Sequence, residues 1–299
     1  MRLPLPMIAL LGAASLAASC GGGDAAQEPA QTNAAPSAAA LLDAVIAGDQ
    51  RSDEEKARDK YRHPKETLLF FGAEPNMTIV EIWPGGGWYS DIIAPFLAKG
   101  GGVYYAAGLD PDVSERTKRA VEALRAKLTG DPSVFGNVNF TVLGAGREIA
   151  PPGSADMVLT FRNIHNWMNA GAAAENFKAF YAALKPGGVL GVVEHRADED
   201  AGADFEGSSG YVKVSTVKAL AAAAGFEFVA SSEVNANPAD TKNYPFGVWT
   251  LPPTRRSSAV GGEVDPNFDH AKYDAIGESD RMTLKFVKPK EAGAPASGE

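Results

Sequence analysis

With 299 residues, 45% of them apolar, and a formal net charge of −9, the chain has the length for one α/β domain with extensions, or at most two domains. Its acidic balance argues against a nucleic-acid partner, because phosphate binding needs a basic face. Cys20 is the single cysteine, which excludes a disulfide within the chain.

Residues 1–20 read as a secretory signal. Arg2 precedes a short apolar run from Leu3 to Leu16, and Ala17-Ala18-Ser19 offers small residues for cleavage. The run is too short to span a membrane. Cys20 follows directly, as in bacterial lipoproteins, where that cysteine carries the lipid. The residue three before it is Ala17, smaller than the usual aliphatic side chain. The expectation is an exported protein, periplasmic or held at a membrane by a lipid on Cys20. Residues 21–40 are rich in Gly, Ala, Pro, Gln and Ser and read as a flexible tether. Residues 41–288 read as the folded domain, and 289–299 as a disordered tail.

Leu41, Leu42, Val45 and Ile46 predict a first helix, and the charged run Arg51 to Lys60 reads as a solvated helix face. Tyr61-Arg62-His63-Pro64 breaks it, and Glu66 to Phe71 is again helical. Thr78 to Ile82 is short, apolar and β-branched, the pattern of a buried strand. Gly85-Gly86-Gly87 allows a tight turn and close approach of main-chain N–H groups to a ligand. Ile92, Ile93, Phe96 and Leu97 recur at helical spacing. Strand, glycine turn and helix together open a nucleotide-binding α/β fold, and the helix N-terminus favours a carboxylate or phosphate. Val103 to Ala107 is a second strand. Asp110 just beyond it stands about 20 residues after the glycines, where such folds hold a ribose hydroxyl.

Asp112 and Glu115 have capping-box spacing ahead of a helix with Val121, Leu124 and Leu128 on its apolar face. Asn137–Leu143 and Asp156–Phe161 are the third and fourth strands. A helix through Phe177, Phe180 and Leu184 stops at Lys185-Pro186-Gly187-Gly188, and Val189–Val193 is the fifth strand. Ser215 caps a helix that ends at Gly225, and Phe226–Ala230 and Met282–Val287 close the sheet. Strands alternating with helices at this spacing predict a doubly wound, mostly parallel, Rossmann-like sheet of seven strands, with helices ahead of it. Residues 235–279 interrupt the alternation before the last strand. They carry Tyr244, Phe246 and Trp249, and read equally as a lid or as a packed surface excursion. Asp280 and Arg281 read as a structural charge pair.

The chain resembles the class I S-adenosylmethionine-dependent methyltransferases from about Tyr61 to Lys288. The resemblance is carried by Glu81 ahead of the glycine turn, Asp110 after the second strand, Leu184 to Gly188 before the fifth, and the closing strands. More narrowly, it resembles a group of exported, lipoprotein-like bacterial relatives of these enzymes. That group shares the stretches from Trp83 to Tyr89, Phe161 to Trp167 and Gly247 to Pro253. The resemblance implies S-adenosyl-L-methionine as cofactor. Gly85, Gly86 and Gly87 would pass beside its methionine part, Glu81 would orient that end, Asp110 would accept from the ribose hydroxyls, and Arg162 and Asn163 would close over the reactive end. The sequence departs from the pattern where Trp83 replaces the first glycine. Pro84 biases Trp83 toward extended geometry and predicts a first strand one residue longer. The acid that would hold the adenine after the third strand is absent, and Leu143-Gly144-Ala145-Gly146 stands there.

The fourth strand leads into Asn163, His165, Asn166 and Trp167, and the fifth ends in Glu194, His195 and Arg196. Methyl transfer to oxygen or nitrogen needs a base near neutral pKa, which suits histidine. His165 is the expected base, with Glu194 or His195 shaping the acceptor pocket. The competing expectation is that these polar groups satisfy one another at the sheet edge. His165, Glu194 and His195 lack a metal-ligand spacing, so no metal is expected. No Asn/Asp-Pro-Pro-Tyr run follows the fourth strand, which with the acidic balance favours a small-molecule acceptor. The alternative to a transferase is a module that binds a nucleoside without turnover. A dinucleotide oxidoreductase is weaker, because Ser90 occupies the third glycine's place.

Overall fold

The computed structural model describes residues 36–203 and 205–290. The expected signal segment, Cys20, the tether up to residue 35 and residues 291–299 lie outside the described residues.

The described chain opens with four helices: α1 (Ala38–Ile46), α2 (Asp53–Lys56), α3 (Asp59–Arg62) and α4 (Pro64–Phe71). Ser37 caps α1 by accepting from the Ala40 N–H, so ordered structure begins inside the stretch read as tether. The charged run is also not one solvated face. Ser52 and Glu55 form a capping box that starts α2, and Arg51 is buried on Asp59 with Nη2 2.5 Å from Oδ1. His63 turns the chain with φ 38°. Pro64 opens α4 where its missing N–H has no intrahelical partner to lose.

The remaining elements are β1 (Thr78–Ile82), α5 (Ser90–Gly100), β2 (Val103–Gly108), α6 (Glu115–Thr129), α7 (Pro132–Phe135), β3 (Val138–Val142), β4 (Ala155–Phe161), α8 (Ile164–Asn169), α9 (Ala173–Ala183), β5 (Leu184–His195), α10 (Val214–Ala223), β6 (Glu227–Ser232), α11 (His270–Asp274) and β7 (Arg281–Val287). The seven strands form one sheet in the order β3-β2-β1-β4-β5-β7-β6. β1 to β5 run parallel, and β7 inserts antiparallel between β5 and β6. The fold is thus α/β and Rossmann-like, with a mostly parallel sheet and a long segment before the last strand.

Both faces of the sheet are buried, which is why β1 reads as a nearly continuous apolar run. Val80 and Ile82 join one core with Val158, Phe177 and Leu190. Ile79 joins the other with Ile92, Phe96 and Leu159. Gly191 lies in the middle of β5 because α4 packs against it: a Cβ there would sit 2.6 Å from Leu159 and 2.9 Å from Phe71.

Several local expectations are corrected. Ser114, not Asp112, caps α6 by accepting from the Thr117 N–H. α10 begins one residue before Ser215, whose N–H and hydroxyl both go to Glu199. Lys185 to Gly188 already belong to β5, where the Gly187 N–H donates to Lys288. Trp83 is left-handed, with φ 46°, rather than extended. Its N–H still donates to Ala107 at 2.8 Å, so the chain keeps one more ladder bond and then turns at once. Asp280 and Arg281 do not pair with each other: Asp280 takes Arg196 and Lys242, and Arg281 takes Glu278.

The long segment is folded down onto the sheet's edge. Asn237 donates to the carbonyls of Ile276 and Glu278, and Tyr211 donates to both oxygens of Asp240 at 3.0 Å. A short 3-10 turn, Gly247–Thr250, then presents residues over the carboxyl ends of the strands.

Candidate active site

The carboxyl ends of β1, β4 and β5 border a cavity of about 460 Å³, where open α/β sheets take their ligands and within the usual range for small molecules. Glu81 and the turn from Trp83 to Gly86 line it from β1, and Phe161 to Asn163 from β4. His165 and His195 follow, with Val248, Trp249 and Pro252 to Thr254 from the long segment. Glu55, Arg58 and Arg62 reach it from the N-terminal helices.

The three glycines divide by role. A Cβ on Gly85 or Gly86 would meet nothing within 4 Å, whereas one on Gly87 would sit 2.9 Å from Leu124. Gly85 and Gly86 therefore face open space, and Gly87 is a packing glycine against α6. Trp88, just beyond, is fixed by its indole N–H to the Glu55 carbonyl at 3.0 Å and by guanidinium contacts from Arg51 and Arg62. The N-terminal helices thus brace the glycine turn.

Glu81 is buried beneath that turn, accepting from Ser90 at 2.8 Å and Tyr104 at 2.5 Å. Burial pushes its carboxyl up to about 7, against the opposing pull of Tyr104, Ser90 and Arg162. Asn163 donates to the Ile82 carbonyl at 2.9 Å, tying the end of β4 to the end of β1. Arg162 is left-handed, with φ 62°; its N–H donates to Val193 at 2.7 Å. Left-handed non-glycine residues are strained, and both Trp83 and Arg162 stand at strand ends that face the cavity.

His165 and Glu194 form a buried pair, Nδ1 to Oε1 at 3.0 Å. The carboxylate also accepts from the main-chain N–H groups of Ile164 at 2.6 Å and His195 at 2.9 Å. A carboxylate held this way accepts from Nδ1–H, keeping the proton on Nδ1 and leaving Nε2 as the basic nitrogen. His195 Nδ1 lies 2.5 Å from Ser279 Oγ. Desolvation, with His165 and Arg162 nearby, holds His195 well below the usual imidazole range, so it is neutral at pH 7. The ligand atoms of His165, Glu194 and His195 lie within 4.8 Å of one another, but both Glu194 oxygens are already engaged by N–H donors.

Asp110 is not among the residues lining the cavity. Its carboxylate accepts from the Asp112 N–H at 3.1 Å and pairs with Arg147 at 2.8 Å, near the surface. The structure thus gathers Glu81, Gly85, Gly86, Arg162, Asn163, His165 and His195 around one space, sets Glu194 behind His165, and leaves Gly87 and Asp110 outside it. Sequence reasoning missed Arg58, Arg62 and Glu278. Arg58 Nε and Arg62 Nε meet Glu278 at 2.7 and 2.9 Å, across more than two hundred residues of chain, and no local pattern announces that pairing.

No protein-family profile matches the chain, and no curated protein matches it. Among solved structures the cyclase SpnF is similar, with a TM-score of 0.51 and 15% identity over 86% of this chain and 98% of its own. A SAM-dependent methyltransferase from Aquifex aeolicus gives a TM-score of 0.45 and 18% identity over 60% of this chain and 87% of its own. Human N-acetylserotonin methyltransferase, solved in complex with SAM, gives 0.48 and 13% over 85% of this chain and 57% of its own. At these identities the likeness is one of fold.

Proposed function

We propose that the protein is an S-adenosyl-L-methionine-dependent methyltransferase acting on a small-molecule acceptor. The observation that carries this reading is that the open glycine turn of Gly85 and Gly86 shares one cavity with the His165–Glu194 pair. The residues present fit the cofactor where Gly85 and Gly86 leave room for a close main-chain approach and Arg162 offers a cation. When bound, the cofactor supplies an electrophilic methyl group on a sulfonium. His165 Nε2 takes the acceptor's proton, Glu194 fixes the tautomer and stabilises the resulting imidazolium, and Trp249 and Pro252 to Thr254 shield the site from water. His195, neutral and held by Ser279, shapes the acceptor side. Asp110 is paired with Arg147 and does not line the cavity, a departure that favours, as a second reading, ligand binding without turnover.

Calorimetry with S-adenosylmethionine and S-adenosylhomocysteine tests the reading. Binding of both in the micromolar range supports it, and binding of neither at millimolar concentration overturns it. We further propose export and lipid attachment at Cys20; lack of labelled palmitate incorporation that depends on Cys20 refutes this. No helix among the described residues is long and apolar enough to cross a membrane.

A further inference from the structure

Four arginines gather at or beside the cavity, and of its carboxylates only Glu278 hydrogen-bonds any of them. Arg58, Arg62 and Arg281 share the single carboxylate of Glu278, at 2.7, 2.9 and 3.1 Å. Glu55 is turned to Lys127 at 3.1 Å, and Glu81 is taken by Ser90 and Tyr104. Arg162 is left over. Its Nη1 is buried without a hydrogen-bond partner, no ion pair to it occurs among the described residues, and it lines the cavity. A buried donor on a cation left without an acceptor is costly to the fold. It is held there by a left-handed backbone at the end of β4, a strained position of the kind that collects at ligand clamps. Glu278 gives it no hydrogen bond, because three other guanidinium groups occupy its two oxygens, and reaches Arg162 only through space.

We propose that this cavity binds an anionic group, a carboxylate or a phosphate, on the guanidinium of Arg162, with Arg62 and Arg58 adding to the field at the rim. The inference rests on the transferase reading only for the identity of the molecule, not for the anion site. The planar fork of Arg162 suits either oxyanion. Its position three residues before His165 at the β4 end places the anion anchor and the proposed base on one short turn. Two molecules could bring the oxyanion: the amino-acid end of the cofactor, or the methyl acceptor.

The test uses the full-length protein with inorganic phosphate and malonate as probes, by calorimetry at low salt. Binding at one site per chain, weakened by about tenfold or more in Arg162→Met, is expected, the loss of one charge-assisted contact. Arg162→Lys retains part of the affinity, and Arg255→Met, a surface pair with Asp274, leaves it unchanged. Without anion, Arg162→Met melts at or above the wild-type temperature, because it removes a buried donor that has no hydrogen-bond partner, whereas a purely structural arginine would give a lower value. No binding of either probe at millimolar concentration, or equal binding by Arg162→Met, overturns the inference.

The source is read from S-adenosylhomocysteine and 5′-methylthioadenosine, which lacks the amino-acid end. If Arg162→Met weakens only the first, the oxyanion is the cofactor's. If it weakens malonate binding and neither nucleoside, the oxyanion is the acceptor's. Both results support the site. A protein that binds malonate through Arg162 but no nucleoside keeps the anion site and loses the transferase reading. A protein that binds the nucleosides and neither probe does the reverse.

Discussion

Replacing Glu278 with Gln removes the one carboxylate that Arg58, Arg62 and Arg281 share. Burial alone would raise the pKa of Glu278, but Arg62, Arg281, Arg58 and Arg162 outweigh it and hold the carboxyl at about 2, against an ordinary value of 4.5. A shift of that size corresponds to roughly 3 kcal/mol of stability at neutral pH, in line with the cost of removing one partner from a buried pair. Because the folded-state pKa is depressed, this stabilisation is fully present above pH 4.5 and is lost as the pH falls through 2. Guanidinium denaturation at pH 7 should therefore show Glu278→Gln less stable by about 3 kcal/mol, with an unchanged slope. The same series below pH 4.5 should show the difference from wild type shrinking as the wild-type carboxyl protonates. Adding Arg281→Met to Glu278→Gln should restore part of the loss, since it relieves one of the stranded charges. A Glu278→Gln protein within about 0.5 kcal/mol of wild type would mean that the arginines are already compensated by solvent. The argument from uneven charge around the cavity would then fail.

Glu81 has the opposite sign. Its folded pKa of about 7 lies above the ordinary 4.5, so the fold loses stability as the pH rises from 4.5 through 7; Glu81→Gln should match wild type near pH 4 and exceed it at pH 8 by up to roughly 3 kcal/mol, measured by urea denaturation at both pH values. Gly86→Ala adds a methyl group into open space at a φ that is not positive; its stability should stay within about 0.5 kcal/mol of wild type while binding of S-adenosylhomocysteine weakens, and unchanged binding would remove the glycine turn from the site. His165→Gln should leave that binding intact and, once an acceptor is in hand, lower turnover by about a hundredfold or more, an effect that unchanged turnover at saturating substrate would contradict.

The fold was legible because its signals are local. β1 reads as a buried strand from five residues, and the two faces of the sheet make that pattern apolar on both sides. Helix starts were less legible where one side chain can cap in place of another. Ser114, with extended backbone, caps α6 in place of Asp112, which lies inside the short 3-10 turn from Pro111 to Val113 that Asp110 caps. Trp83 ran against the bias that a following proline imposes, because the chain must turn straight after its last ladder bond to Ala107 in order to open the glycine turn.

The site was legible only in the residues that sit at strand ends. Glu81 and Glu194 could be placed from the strands that carry them, Arg162 and His165 from the strand β4 just before them, and Gly85 and Gly86 from the turn that follows β1. Asp110 stands where its spacing puts it, just past β2, yet Arg147, thirty-seven residues on, claims the carboxylate, and a spacing rule cannot see a competitor. The charge balance of the cavity is the least local property of all. Arg58 and Arg62 arrive on helices ahead of the sheet, Arg162 from the end of β4, and Glu278 from the approach to the last strand, while Arg281, the first residue of β7, pairs with Glu278 without lining the cavity. Each looks like an ordinary surface charge in its own neighbourhood, in a chain whose overall charge is −9. The local field at a ligand is set by the few groups that share its low-dielectric surroundings, not by the sum over the chain. An acidic protein can therefore hold an arginine without a hydrogen-bonding acceptor in its cavity, and a net charge that disfavours nucleic acid leaves a small anion free to bind.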